Sequence, residues 1–196
     1  MPSDPVILAF DTSAAHCAAA LLVGDRIVAA TVEEMTRGQA ERLMPLLEEM
    51  LGEAGLSWGD LDAIGVGIGP GNFTGIRISV SAARGLALGL GIPAVGVDGF
   101  EARAPLTPSG VLPAIPAPRD QVYLMPEDGT AQLMPRQEAE AFGLLQTEYA
   151  PNQLAEAIAR TTATRWRDAT TPPAPLYVRP ADAAPSRDRP PVLLDP

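Results

Sequence analysis

The order of the apolar segments in the first hundred residues restricts the fold of this chain more than any other feature. Three short apolar runs, at 6–10, 18–23 and 26–32, follow one another with only tight turns between them, which predicts three antiparallel strands. Helical patterns then alternate with strand-like segments at 61–68 and 93–97. The first hundred residues therefore predict an α/β unit that begins with a three-stranded meander.

The second half of the chain repeats part of this pattern after a change in composition. Five prolines occur between 105 and 118, and they are followed by short apolar segments at 111–115, 121–125 and 131–134 and by a helical pattern over 152–166. Two such units are typical of the actin-like ATPase (ribonuclease-H-like, ASKHA) fold, so we predict two lobes, the second reduced. The predicted boundaries are an N-terminal lobe over 1–104, a shortened C-terminal lobe over 105–180 and a proline-rich tail over 181–196.

Composition excludes several classes of function. All 14 basic residues are arginine, so neither a P-loop lysine nor Schiff-base chemistry is available. The formal net charge of −10 argues against a nucleic-acid surface on this chain alone, because such surfaces need clustered cations. No apolar run approaches membrane-spanning length, and the start of the chain resembles no signal peptide, so we expect a soluble cytoplasmic protein without membrane contact.

The sequence offers few residues for catalysis or metal binding. His16 is the only histidine and Cys17 the only cysteine, whereas a catalytic metal site normally combines several ligands at defined spacing. A serine nucleophile would have only His16 as its base, and the segment 71–75 carries Phe73 where a nucleophile elbow has serine. We therefore expect no catalytic residue and no metal ligand.

A glycine-rich segment, Gly69 to Gly75, lies between a predicted strand and a predicted helix over 75–90. Such a junction can bind an anion or let two backbones pack closely, but its spacing fits neither the dinucleotide-binding nor the P-loop pattern. The small residues Ser81, Gly85 and Gly89 in the helix that follows are better explained by close packing than by phosphate binding. At the end of the first strand, an aspartate and two hydroxyl residues can either contact phosphate or cap a turn. The candidate residues for a vestigial phosphate site are Asp11, Thr12, Ser13, Gly71, Thr74 and Gly75.

Three segments in order, Ile7–Ser13, Gly69–Ile78 and Pro175–Asp182, resemble the TsaB (YeaZ-type) family, with a looser match at 119–123. The resemblance implies a non-catalytic paralogue of the TsaD threonylcarbamoyl transferase, with the actin-like fold. It also implies a part in making N6-threonylcarbamoyladenosine at position 37 of tRNAs that read ANN codons. TsaD carries a two-histidine metal motif on its first helix, whereas the segment 39–42 here has no histidine.

The resemblance further implies partners and cofactors. A heterodimer with a TsaD-type transferase and contact with a TsaE-type ATPase are expected, with tRNA bound only through that complex. ATP and metal are then expected on the partners rather than on this chain, which can form a homodimer when alone. The chain departs from the family pattern at Pro116 and Pro118, where relatives often have polar residues, and in its shorter second lobe.

The expected partner surface lies on the two predicted helices, near residues 40–51 and 75–90. Their apolar and small residues occur around more of each helix than one contact with a sheet needs. In the family, the corresponding helices pack against the equivalent pair of TsaD. Cover by the second lobe is the alternative for this surface, and an active ATP-dependent or glycoprotease-like enzyme of the actin-like fold is the alternative function. The expected contact residues are Leu43, Leu47, Met50, Leu51, Ile78, Ser81, Gly85, Leu86 and Gly89.

Overall fold

A computed structural model describes residues 4–126 and 129–178. Its larger sheet has five strands, in the order β3-β2-β1-β4-β5. Strands β1, β2 and β3 are antiparallel, and β4 and β5 run parallel to β1. The five strands are β1 (Val6–Asp11), β2 (His16–Val23), β3 (Arg26–Glu34), β4 (Ala63–Gly67) and β5 (Ala94–Val97). This confirms the element order predicted for the first hundred residues and gives the ribonuclease-H-like arrangement of the actin-like fold.

Helices cover both faces of this sheet, because successive residues of a strand point to opposite sides. Leu8 and Phe10 of β1 pack with α1 (Gln39–Glu53) and α2 (Phe73–Leu90). Their neighbours Ile7 and Ala9 pack with α5 (Pro151–Arg165). Helices α1 and α2 therefore lie side by side on one face of the sheet. None of the helices in the described residues is long and apolar enough to cross a membrane.

The smaller sheet has four strands, in the order β8-β7-β6-β9. Strands β6, β7 and β8 form the predicted antiparallel meander, and β9 pairs parallel to β6. The elements here are α3 (Gly99–Arg103), β6 (Val111–Ala117), β7 (Gln121–Leu124), β8 (Gln132–Pro135), α4 (Arg136–Ala139) and β9 (Leu144–Gln146). Only five described residues form its buried cluster, Ala114, Val122, Leu124, Met134 and Ala139.

The helix predicted over 152–166 forms as α5, but it does not cover the smaller sheet. It packs against β1, β2 and β4 of the larger sheet instead. Small side chains allow this close packing, since a Cβ at Gly65 would lie 3.2 Å from Ile158 Cγ2 of α5. The second lobe therefore differs from the first, because its long helix packs on the sheet of the first lobe rather than on its own. The boundaries at 104 and 180 stay a prediction, and the tail over 181–196 lies outside the described residues.

Candidate functional site

The carboxyl end of β1 carries the first candidate site, and its side chains are already paired with one another. Asp11 Oδ2 accepts hydrogen bonds from the Ser13 amide at 3.2 Å and the Ser13 hydroxyl at 2.8 Å. The same oxygen lies 3.2 Å from Nε2 of His16, the first residue of β2. Asp11 and His16 are both buried. The aspartate therefore caps its own turn and binds the start of the next strand.

The pKa of Asp11 reflects two opposing effects. Burial raises it, because a low-dielectric surrounding disfavours the charged form. The hydrogen bond and charge of His16, together with the donors of Ser13, more than offset burial, so the pKa of Asp11 lies below its usual range. The residue is thus a carboxylate whose Oδ2 is occupied by protein donors rather than left open.

The glycine-rich segment packs directly against this turn. A Cβ at Gly75 would overlap the carbonyl oxygen of Thr12, and one at Gly71 would lie 2.6 Å from the carbonyl oxygen of Ser13. The Asn72 amide donates to that Ser13 oxygen at 2.7 Å, and the Thr12 hydroxyl donates to the Gly75 carbonyl at 2.6 Å. Of the two interpretations of this segment, close packing of two backbones is the one that the geometry supports.

The first turn of α2 is capped within the chain. The side chain of Asn72 accepts a hydrogen bond from the Gly75 amide at 2.9 Å, which occupies one of the donors that an anion would need. Thr74, the remaining predicted residue, is exposed in the same turn. The structure therefore brings the six candidate phosphate residues together, but the interactions it shows are those of a packed turn.

The cavity at this end of the sheet is small. It is lined by Asp11, His16, Asp98 and Arg103 among others and has a volume of about 30 Å³. That is the space of roughly one water molecule, whereas small-molecule sites occupy about 300–1,000 Å³. Within the described residues, no three His, Cys, Asp or Glu side chains are grouped so that they could hold a metal ion. The alternative of an ATP-dependent or glycoprotease-like enzyme stays a prediction, and a nucleotide would need more space than this cavity provides.

The second candidate site is the outer surface of α1 and α2, and here the structure corrects part of the prediction. Leu43, Leu47, Met50 and Leu51 are buried in the core rather than exposed, because these residues share the inward side of α1 and pack on the sheet. The expectation that these four residues form an exposed patch is wrong. Ile78 and Leu86 of α2 are half-buried and pack against the same core.

The remaining predicted residues of α2 do lie on the surface. Ser81, Gly85 and Gly89 are exposed, and a Cβ added at either glycine would meet nothing within 4 Å. Leu88, which the sequence analysis missed, is 86% exposed beside them. Leu88 could have been identified from the sequence, because it follows Gly85 by three residues and residues at that spacing share a helix face. We call Ser81, Gly85, Leu88 and Gly89 the α2 face.

The second and third segments of the family resemblance, Gly69–Ile78 and Pro175–Asp182, meet at the start of α2. The Arg77 guanidinium lies 3.9 Å from the ring centre of Phe73, and its Nε donates to the Tyr177 hydroxyl at 2.8 Å. The rings of Phe73 and Tyr177 have their centres 5.1 Å apart. Residues 169–178, which we call the C-terminal strap, are thereby fixed to α2. Residues 179–182 of the quoted motif lie outside the described part of the chain.

Comparison with known proteins agrees with the resemblance. The family model described as "TsaD: tRNA N6-adenosine threonylcarbamoyltransferase" matches residues 28–162. The TsaB protein of Escherichia coli, described as a tRNA threonylcarbamoyladenosine biosynthesis protein, is 41% identical over 92 residues, or 47% of this chain. That match spans only 39% of the length of the E. coli protein.

Two further relatives match over nearly their whole length. An uncharacterized protein of Mycobacterium tuberculosis is 32% identical over 203 residues, which covers 91% of this chain and 94% of the relative. The solved structure of YeaZ from Pseudomonas aeruginosa superimposes with a TM-score of 0.68 at 26% identity, covering 88% of this chain and 99% of that one. The similarity therefore includes the smaller sheet as well as the larger one.

Proposed function

Because this chain belongs to the TsaB/YeaZ family, we propose that it is a non-catalytic subunit in the synthesis of N6-threonylcarbamoyladenosine at position 37 of tRNA. Its role is to bind and support a TsaD-type transferase as a heterodimer. The observation that carries this proposal is the exposed α2 face, where a leucine that is 86% exposed projects beside two glycines. Leu88 leaves apolar surface uncovered beside these small residues, and a partner helix could bury it.

The chemistry of the α2 face suits a helix as its partner. Glycine inside a helix costs about 1 kcal/mol relative to alanine, so two of them on one exposed face favour a role in close contact. Small residues at a helix surface let a second helix approach, and a neighbouring leucine then fills the groove between its side chains. When the transferase is absent, the same face can hold a second copy of this chain.

The site at Asp11 supports the proposal that other subunits of the complex bind ATP and metal. Its cavity of about 30 Å³ and its internally paired carboxylate favour placing ATP and metal on the partners, the transferase and a TsaE-type ATPase. The net charge of −10 favours contact with tRNA through the complex rather than through this chain alone.

Light scattering on a purified mixture tests the proposal. The chain, of 20.5 kDa, is combined with the TsaD-type transferase of the same genome and separated by size-exclusion chromatography. We expect a single species whose mass is the sum of one copy of each protein, because the α2 face is covered by the transferase. Two separate species with the masses of the unmixed proteins, at micromolar concentrations, would contradict the proposal.

A further inference from the structure

A groove runs between the second half of α2 and the C-terminal strap, and Gly85 is the one residue predicted for partner contact that lines it. Its volume is about 450 Å³, in the range of sites that bind ligands or side chains. Gly85 and Leu88 form its helix wall, Pro93 and Ala94 its floor, and the strap its other wall. The groove is thus continuous with the α2 face through Gly85 and Leu88.

The strap wall is held in place by contacts at several points. The Leu176 amide donates to the Ile68 carbonyl at 2.8 Å, which fixes the strap beside the end of β4. Pro173 is buried against β5, since a Cβ at Gly96 would lie 3.2 Å from its Cβ. Tyr177 binds Arg77 of α2 as described above. The groove is therefore formed before any partner binds, and its occupant does not need to order the strap.

The charge of the groove restricts what it can hold. Arg84 is the one charged residue among those that line it, and within residues 4–126 and 129–178 its guanidinium has no hydrogen-bond or ion-pair partner. The other lining residues with polar side chains are Thr170 and Thr171, whereas the rest are glycine, alanine, leucine, isoleucine and proline. The groove therefore offers one full positive charge and two hydroxyls on otherwise apolar walls, which suits an apolar group with one neighbouring negative charge.

From these observations we infer that the groove belongs to the transferase-binding surface and receives an apolar side chain and an adjacent carboxylate from a helix of that partner. The apolar side chain packs against Leu88, Pro93 and Pro172, and the carboxylate pairs with Arg84. This inference rests on the proposed function and adds the strap to the contact surface.

Filling the groove from the strap side tests this inference without substituting a residue of the α2 face. Thr171 is exposed on the strap wall, so Thr171→Trp places a large side chain where the partner's apolar group would lie. Thr164→Trp is the matched control, because Thr164 is exposed on α5, the helix that covers the opposite face of the sheet. Titration calorimetry against the transferase is expected to show binding at least tenfold weaker for Thr171→Trp and unchanged for Thr164→Trp.

Charge reversal at Arg84 provides a second measurement. Arg84→Glu is expected to weaken binding at least tenfold at low salt and less at high salt, because the lost attraction is electrostatic. The neutral variant Arg84→Gln is expected to bind the transferase with an affinity between those of Arg84→Glu and the unmodified chain. Since Arg84 is exposed and unpaired within the described residues, neither change should alter the melting temperature of the isolated chain.

The possible outcomes separate this inference from the proposed function. If Thr171→Trp and Arg84→Glu bind like the unmodified chain while Gly85→Leu does not bind, the groove is not part of the interface and the inference is overturned. The same holds if Thr171→Trp changes only self-association, since the groove then receives a second copy. Failure of the unmodified chain to bind the transferase would overturn both.

Discussion

Replacing Gly85 by leucine is expected to weaken binding to the TsaD-type transferase by at least a hundredfold while the isolated chain stays folded. Nothing lies within 4 Å of a Cβ at this position, so the new side chain meets no clash inside the chain. Leucine also has a better helix propensity than glycine, by somewhat less than about 1 kcal/mol, so the melting temperature should stay the same or rise. The four-carbon side chain would instead occupy the space through which a partner helix approaches.

A matched control separates this effect from a general effect of added apolar surface. Gly59 is also exposed, and its nearest neighbour to an added Cβ is Ser57 Oγ at an ordinary 3.8 Å, but it lies in the short helical turn before β4 rather than on α2. Gly59→Leu should therefore bind like the unmodified chain. If folded Gly85→Leu binds within threefold of the unmodified chain in calorimetry, the interface lies elsewhere.

Replacing Gly75 by alanine is expected to give the opposite result, a chain that loses stability before any partner is considered. A Cβ at Gly75 would overlap the backbone carbonyl of Thr12, which cannot move aside as the end of a flexible side chain can. Thr12 is also held there by its own hydroxyl, which donates to the Gly75 carbonyl at 2.6 Å. Overpacking of a buried contact commonly costs about 1–3 kcal/mol, and the backbone position places this variant at or above about 3 kcal/mol.

Urea unfolding of the two variants Gly75→Ala and Gly89→Ala compares the loss of stability at Gly75 with the same substitution elsewhere in α2. Gly89 has open space around its Cβ, so its alanine variant should gain up to about 1 kcal/mol in the free energy of unfolding. A Gly75→Ala variant as stable as the unmodified chain would show that the glycine-rich segment does not pack against the Thr12–Ser13 turn.

The sequence predicted the elements of the larger sheet well, because short apolar runs separated by tight turns leave few alternatives. It could not assign α5 to a sheet, since helical periodicity shows that a helix has a buried side but not which surface covers it. The smaller sheet offers a buried cluster of only five described residues, whereas the second face of the larger sheet presents Ile7, Ala9 and their neighbours. Helix α5 therefore packs on the larger sheet, where it buries more apolar surface.

The exposure of the residues expected at the partner surface was predicted only in part, for a similar physical reason. The leucines and methionine of α1 have the spacing of a helix face, and that spacing is the same whether the face meets the sheet or a partner. On α2 the small residues were the better indicator, because the described chain leaves the space beside Gly85 and Gly89 open. Arg77 and Tyr177 are a hundred positions apart, so no local pattern connects them, although both lie in segments that carry the family resemblance.

Formation of N6-threonylcarbamoyladenosine in tRNA is the measurement that tests the central claim most directly. Unmodified tRNA, an activated threonylcarbamoyl donor and ATP with Mg²⁺ are incubated with the purified TsaD-type transferase and TsaE-type ATPase, with and without this chain, and also with this chain alone. Modified nucleosides are then quantified. We predict modification only when this chain and its partners are present together, and its loss when Gly85→Leu replaces the unmodified chain. Modification by this chain alone, or undiminished modification by its partners without it, would contradict its assignment as a required non-catalytic subunit.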